Sequence, residues 1–463
     1  MGCREQKKAI ILGAGISGLS LAWYLQQSKA PLDLVILEKS ERAGGWLRTD
    51  HSTGFVFEKG PRAFKVGKSA ATLQLVQELG LEQEIITSCS RSRYLWVNQR
   101  LQRLPDHLLA WMVSPLTRGI IPALLTEWKK DPQAGDETVW EFVSRRLSPE
   151  VARLFFDPLV VGIFGGDSRE ISVRACFPTL KRWEEEWGSI TRGLWMSLRE
   201  RKQRAKFSEA VPELPLSAMY SFSSGMELLV QSLINKLQAQ VLYGIEAISI
   251  SMENQQVRVQ TNGQEWIADA LFCALPIAQA GFLLRSLVPD IAAEWAEIKS
   301  RSIATVSAGY AEPVLPCKGF GYLTALQDQE DLLGVVFDSS VFPQHNGHPK
   351  ETRLTVKLAD RGLSREGVIE TALQGVRRHL KIERKPDAIS YQLAVNAIPQ
   401  YGVDHLARME QFDARLSSQL PQLHFVGNYW SGVAVDQCIA RSKQVAERFC
   451  AQSRLMPSSL DLN

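Results

Sequence analysis

The chain has 463 residues, 45% hydrophobic and 22% charged, proportions that exclude a disordered or fibrous protein and suit a globular one of two or three domains. Lys and Arg total 53 against 50 Asp and Glu, which gives no electrostatic reason to expect nucleic acid as a partner. Seven cysteines without a CxxC pair argue against a zinc site or a disulfide framework and for a reducing compartment. No uninterrupted apolar run reaches the length of about 18 residues expected of a spanning helix. The opening MGCREQKKAI lacks the apolar core of a secretory signal, so the chain is expected to stay inside the cell, resting at most on a membrane surface.

KKAIILGAGISGLSLAWYLQQS predicts a strand from Ala9 to Leu12, a turn through Gly13, Gly15 and Gly18, and then a helix. Gly13 permits the tight turn, Gly15 lets the backbone approach a pyrophosphate, and Gly18 lets the helix pack on its strand. Ala14, Ile16 and Ser17 then bring their backbone to the anion at the helix N-terminus. A second strand, LDLVILEKS, ends in Glu38, roughly twenty residues past the last glycine, where a carboxylate accepts hydrogen bonds from both ribose hydroxyls and disfavours a 2′-phosphate. These residues alone leave NAD and FAD open.

SERAGGWLRT, with Arg42, Gly44 and Gly45, followed by GFVFEKGPRAF, resembles the extended FAD signature of the superfamily that holds amine oxidases, phytoene desaturases and protoporphyrinogen oxidases. The resemblance implies FAD as cofactor and places Arg42, Gly45, Trp46, Gly60, Pro61, Arg62 and Ala63 beside it. Without it, Gly44 and Gly45 read as a surface turn.

Residues 95–215 change to a composition rich in tryptophan, proline and basic residues and are expected to form a mostly helical unit. LPDHLLAWMVSPLTRGIIPALLTEWKK, which includes Arg118, Lys129 and Lys130, suits a lipid–water interface, with an ordinary helical core as the equal alternative. In DETVWEFVSRRLSPEVARLFFDPLVVGIFGGDSREISVRACFPTL, Ser148 and Pro149 predict a helix N-cap and first turn, and GIFGGD a turn that exposes backbone groups. This stretch looks strongly like its counterpart in the protoporphyrinogen oxidase family. SFSSGMELLVQSLINKL predicts a turn at Gly225 and a helix that returns the chain to the nucleotide domain. QVLYGIEAISI and DALFCALP read as strands, with Asn262 and Gly263 as a hairpin turn. The resemblance implies that Ala247 passes beside the adenine, an alanine where the family commonly has valine.

SIATVSAGYA, LLGVVFDSS and RLTVKLA read as strands and REGVIETALQGVRRHL as an amphipathic helix, together an antiparallel sheet domain. CKGFGYL and VFDSSVFPQHNG extend the resemblance over essentially the whole chain. The expected fold is α/β: a Rossmann-type FAD-binding domain from residues 1–94, 216–295 and 406–463, an inserted helical membrane-associated domain at 95–215, and an α+β substrate-binding domain at 296–405.

LHFVGNYWSGVAVDQCIARSKQVAERF predicts a strand, a second glycine turn and a helix. In a two-domain flavoprotein that helix N-terminus can face the pyrimidine end of the isoalloxazine, where reduction places negative charge. Gly432 permits close approach, and the amides of Val433 and Ala434 are the expected donors. Asn428 and Val435 complete the turn, although the family usually has a smaller residue at Asn428.

The resemblance implies FAD-dependent six-electron oxidation of a porphyrinogen in three cycles, by hydride transfer to flavin N5, with molecular oxygen as acceptor and hydrogen peroxide released. Protoporphyrinogen is the favoured substrate and coproporphyrinogen the alternative. An amine oxidase or carotenoid desaturase on the same scaffold, and a catalytically idle FAD-binding interaction module, are the competing readings. Propionates call for a cation. Arg93, in SRSRYLWVNQRLQRLP, is the first choice and Arg91 its competitor. Arg62 is expected to hold FAD, orient substrate, or form an ion pair. Leu159, Phe320 and Leu323 match the family's apolar walls, the Gly162 carbonyl is an acceptor for pyrrole N–H groups, and Gly321 leaves room for the ring. No general base is named. The resemblance further implies peripheral contact with the cytoplasmic face of the cell membrane, or with the mitochondrial inner membrane in a eukaryote, and leaves a homodimer open.

Overall fold

The computed structural model describes residues 6–28, 30–65, 70–105, 114, 116–117, 120–204, 218–325 and 330–455. Strand Lys7–Leu12 is the centre of a five-stranded parallel sheet, flanked by Leu32–Leu37 and Ala270–Cys273, with Gln240–Leu242 and Leu423–Phe425 at the edges. Its apolar run is buried on both faces, as parallel strands require. Ile11 packs with the first helix (Ile16–Gln27) and the last (Val435–Leu455). Ile10 and Leu12 pack with the three-stranded sheet Ala247–Glu253, Gln256–Thr261 and Glu265–Ala268 and with helices Ile277–Leu284 and Pro289–Ala296. Ser442 Oγ donates to the Ser17 carbonyl at 2.8 Å, so the two ends of the chain share one layer. The predicted hairpin forms, with Gln260 opposite Glu265.

The helical unit follows its capping signals. Thr138 and Glu141 make a reciprocal capping box on helix Val139–Arg146. The expected Ser148 cap accepts from the Val151 amide, with Pro149 in the first turn. Gly165, at φ +62°, ends helix Asp157–Phe164 in a left-handed residue. Phe142, Val160, Phe164 and Val173 form the apolar core. Next to it lies a charge network: Arg146, fully buried, binds Glu127, while Arg145 and Lys181 each bridge Glu137 and Glu184. Burial alone would raise the Glu127 and Glu184 carboxyls. Hydrogen bonds from Ser189, the Ile190 and Thr191 amides and Arg146 hold the first below the usual range, and Arg145 and Lys181 hold the second. Trp111 and Arg118 of the expected interfacial segment lie outside the described residues; Leu125 and Trp128, which follow helix start Ile120, are exposed. No helix among the described residues is long and apolar enough to cross a membrane.

A seven-stranded sheet forms the third unit, in the order Ala388–Pro399, Ser300–Tyr310, Thr352–Ala359, Leu332–Val336, Gly321–Thr324, Arg93–Val97 and Arg100–Arg103. The last two strands cross the expected boundary at residues 94/95. They form a hairpin closed by Asn98 and Gln99, both at positive φ, and Arg93–Val97 pairs in parallel with Gly321–Thr324. This segment therefore belongs to the sheet and not to the helical unit. Register assigns the sheet's two faces. Tyr322, Val335, Val356 and Val306 pack against helix Arg365–Leu380. Leu323, Gly334, Lys357 and Thr305 form a row on the opposite face.

Arg146→Met, by leaving Glu127 buried without its cation, is expected to destabilise the protein by about 3–5 kcal/mol. Urea unfolding followed by circular dichroism measures this; a loss below about 1 kcal/mol would mean that the network behaves like a surface ion pair.

Candidate functional site

The first turn has the geometry its glycines predict. Gly13 stands at φ +95°. A Cβ on Gly18 would lie 2.0 Å from the Gly13 carbonyl oxygen, so only glycine lets this helix sit on its strand. Gly15 ends extended at φ −73°, and no side chain caps the helix that follows, leaving its first amides for a ligand. Ile16 is half-buried and Ser17 buried. The Glu38 carboxylate receives the Ala14 amide at 2.7 Å on one oxygen and the Ser40 amide and hydroxyl at 2.9 and 2.7 Å on the other. It thus fixes the turn while a lone pair remains for a ribose hydroxyl.

The Gly44–Gly45 segment folds over this turn. The Gly44 amide donates to the Ala14 carbonyl at 2.8 Å, and a Cβ on Gly45 would come within 3.2 Å of the Gly15 Cα. The two glycine turns thus pack backbone against backbone and border a cleft beside Gly15, where an added Cβ would meet nothing closer than the Gly45 Cα at 4.0 Å. Arg42 donates to the Ala43 and Gly45 carbonyls at 2.9 and 2.8 Å, so its guanidinium holds the turn. Trp46 is exposed, and its carbonyl would be 1.8 Å from a Cβ on Gly60, which requires glycine there. Pro61 and Ala63 are half-buried on either side of Arg62.

Arg62 is buried, and its Nη1 donates to Asp338 Oδ1 at 2.6 Å. The ion-pair expectation is therefore met, yet Arg62 Nη2 is buried with no partner among the described residues, a donor that a ligand would satisfy. Asp338 Oδ2 accepts from Thr355 Oγ1 at 2.7 Å. Nearby, burial pushes the Glu58 carboxyl up to about 7 against hydrogen bonds from the Met226 amide and Thr49 and the charge of Arg62.

The expected substrate residues lie on the face of the seven-stranded sheet opposite helix Arg365–Leu380 and on helix Asp157–Phe164, which packs against it. Arg93 lies opposite Gly321, exposed, its guanidinium 5.6 Å from the centroid of the half-buried Phe320 ring. Arg91, its competitor, lies outside the strand. Leu323 follows on the same face, in contact range of Gly162 on helix Asp157–Phe164; Leu159, one turn earlier, is half-buried. Gly321 needs a different explanation from the expected one. At φ +136°, a Cβ there would meet the Val335 carbonyl oxygen at 2.1 Å, so the approach of the neighbouring strand, rather than room for a ligand, dictates glycine. Nor is the Gly162 carbonyl free, because Lys357 Nζ donates to it at 3.4 Å. Burial and Arg62 push the Lys357 ammonium down to about 8, against the pull of Asp338. The reading of the sequence missed Lys357, although the alternation in RLTVKLA puts it on one face with Arg353 and Thr355.

The second turn joins the units. Asn428 Nδ2 donates to the Ala397 carbonyl at 2.8 Å, so its side chain is committed to the seven-stranded sheet rather than offered to a cofactor. Tyr429 and Trp430 pack under the five-stranded sheet, Val433 against the helical unit and Val435 under the first helix. Gly432, at φ +157°, turns the chain into the last helix. The Ala434 amide donates to Gln437 Oε1 at 3.2 Å, which takes up one of the two expected donors. Ala247 lies in a different sheet from Gln240–Leu242, on the strand that follows the Ile245 amide's bond to the Glu38 carbonyl at 2.9 Å.

A flavin-containing amine oxidoreductase model matches residues 16–450. The chain belongs to the flavin-containing amine oxidoreductase family. It is 33% identical to bovine (Bos taurus) protoporphyrinogen oxidase over 96% of this chain and 98% of the relative, and 24% identical to coproporphyrinogen III oxidase of Staphylococcus aureus over 96% and 99%. The fold is shared with a protein from Exiguobacterium sp. 255-15 described as a protoporphyrinogen oxidase, at TM-score 0.84 and 20% identity over 97% of this chain and 99% of that one. Cyclohexylamine oxidase from Brevibacterium oxydans shares it at TM-score 0.71 and 16% identity over 97% and 100%. As a member of this family the chain is an FAD-dependent oxidoreductase. The side-chain-free space beside Gly15, the uncapped helix and the unpartnered Arg62 Nη2 fit that cofactor.

Gly15→Val tests the cleft within this flavin-dependent family member. Gly15 has a β-region backbone that valine tolerates, and a Cβ there meets nothing closer than the Gly45 Cα at 4.0 Å. The variant should therefore keep its far-ultraviolet circular dichroism while bound FAD, read from flavin absorbance, falls about tenfold or more. Gly18→Ala, with its clash at the Gly13 carbonyl, should lose fold and cofactor together.

Proposed function

We propose that this protein oxidises a porphyrinogen to the porphyrin, with protoporphyrinogen as substrate and molecular oxygen as terminal acceptor. The observation that carries the reading is one sheet face: an exposed arginine beside the Phe320 ring at its edge, the apolar Leu323 packed against Gly162, and the buried Arg62–Asp338 pair whose charges reach Lys357 on the same face. A planar, largely apolar ring with carboxylates at one edge suits such a surface. The relatives named as protoporphyrinogen oxidases support it.

FAD, when bound, supplies the acceptor for hydride from the bridging carbon. The chain supplies position and field. Arg93 anchors a propionate through charge-assisted hydrogen bonds. Leu159, Phe320 and Leu323 hold the macrocycle and exclude water. The backbone around Gly432 and the positive end of the last helix stabilise negative charge that builds up on reduction. Lys65 favours coproporphyrinogen as the second reading: burial, then the charge of Arg93, lowers its ammonium, so a second cation lies within reach of further carboxylates. Exposed Leu125, Trp128, Ile163, Leu194 and Trp195 on the helical unit support peripheral membrane contact.

Anaerobic mixing of the yellow protein with each porphyrinogen, followed by oxygen, tests the reaction. Fast flavin bleaching and later porphyrin fluorescence with protoporphyrinogen are expected; faster bleaching by coproporphyrinogen would reverse the substrate order, and bleaching only by amines would return the chain to the amine oxidases. Arg93→Ala should raise KM about tenfold or more with FAD content unchanged. An unchanged KM would remove Arg93 from the carboxylate role.

A further inference from the structure

We propose that Lys357 accepts the pyrrole N–H proton that the substrate releases in each two-electron step, its amine standing between the Gly162 carbonyl and the Arg62–Asp338 pair on the face of the seven-stranded sheet that meets helix Asp157–Phe164. This rests on the porphyrinogen reading.

The geometry sets Lys357 apart from the other buried cations. Arg353, two positions beyond Thr355 on the same strand face, is satisfied by the Val56 and Phe342 carbonyls, Asn346 and Glu351. Lys357 makes no ion pair among the described residues, and its one hydrogen bond is the long contact to Gly162. On the sheet it is flanked by Gly334, which has no side chain, and by Thr305, with Gln392 beyond. The charged groups that face it are Arg62, from the loop after Glu58, and Asp338, from the short helix Asp338–Val341. Asp338 already serves Arg62 and Thr355. An enclosed amine left without a carboxylate is suited to working as a base.

Its neighbours also place it beside the substrate. Gly162 contacts Leu323, the expected wall of the ring pocket, and the carbonyl that Lys357 reaches is the one expected to meet a pyrrole N–H. In the step, a bridging C–H bond breaks and its electron pair leaves with the hydrogen as hydride to the bound flavin, so the tetrapyrrole gains one positive charge. A neighbouring N–H bond then breaks, its electron pair stays on the ring and cancels that charge, and the proton forms the third N–H bond of the Lys357 ammonium; between steps a proton of the remaining saturated bridge moves to a ring nitrogen by tautomerisation, so that every bridge ends unsaturated and two N–H groups remain in the product. The ammonium gives that proton up to solvent before the next step.

Burial and Arg62 lower the Lys357 ammonium to about 8. The neutral amine therefore grows as pH rises, and the rate of anaerobic bleaching should climb about tenfold per pH unit below 8 and level off above it. The experiment compares the unsubstituted holoenzyme with Lys357→Met and Lys357→Arg, by stopped-flow bleaching between pH 6 and 9.5 and by NMR titration of protein carrying 13C-labelled lysine. Lys357→Met should keep its FAD, bleach about 100-fold more slowly at pH 8 and lose the rising limb; Lys357→Arg should not restore the rate. The lysine resonance missing from the Met variant should titrate near 8. An unchanged rate and pH profile in Lys357→Met, rescue by arginine, or titration at the ordinary lysine position of about 10.4 would each overturn the assignment. If the unsubstituted holoenzyme bleaches with neither porphyrinogen, the porphyrinogen reading falls and this inference with it.

Discussion

The buried ion pair of Arg62 and Asp338 is the contact on which the candidate site depends. Arg62 belongs to the loop that follows the paired glycine turns, and Asp338 opens the short helix that follows strand Leu332–Val336 of the seven-stranded sheet. Removing either partner would strand a charge in a place where water cannot repay it. The surrounding bonds reinforce the same junction: Arg353 reaches the Val56 carbonyl, and Ser390 Oγ donates to Asp50 at 2.8 Å. Such polar contacts fix distance and angle in a way that apolar packing does not, so the glycine turns and the seven-stranded sheet keep one relative position.

The chain's two ends are constrained by a different force. Parallel strands need crossover connections, so neighbours in the five-stranded sheet come from distant parts of the sequence. Leu423–Phe425 pairs with Ala270–Cys273, which pairs with Lys7–Leu12. This order brings the second glycine turn to the layer of the first. The turn then packs residues into three cores at once, Trp430, Val433 and Val435, so its side chains hold the units together.

Much of the cofactor half was legible because each feature there is local. Gly13, Gly15 and Gly18 follow one strand and open one helix, Glu38 ends the next strand, and capping at Ser148 is written within four residues. The substrate half was harder. The Arg93–Val97 hairpin turns on Asn98 and Gln99 without a glycine, so its turn signal was weak, and its partner strand is more than two hundred residues away. Gly321 was read as space for a ring because nothing nearby in sequence reveals the Val335 carbonyl beside it.

By itself the sequence determined the dinucleotide turn, the helical capping signals, the alternating strands and, through its resemblance, FAD. Periodicity and local hydrogen bonding carry that information within a few residues. Only the tertiary structure decided that Asn428 bonds Ala397, that Gln437 covers the Ala434 amide, that Arg62 keeps one donor unpartnered, and that Lys357 reaches the Gly162 carbonyl. Each of these depends on sheet register or on which groups burial leaves unpaired, and both are set by contacts between segments far apart in the chain.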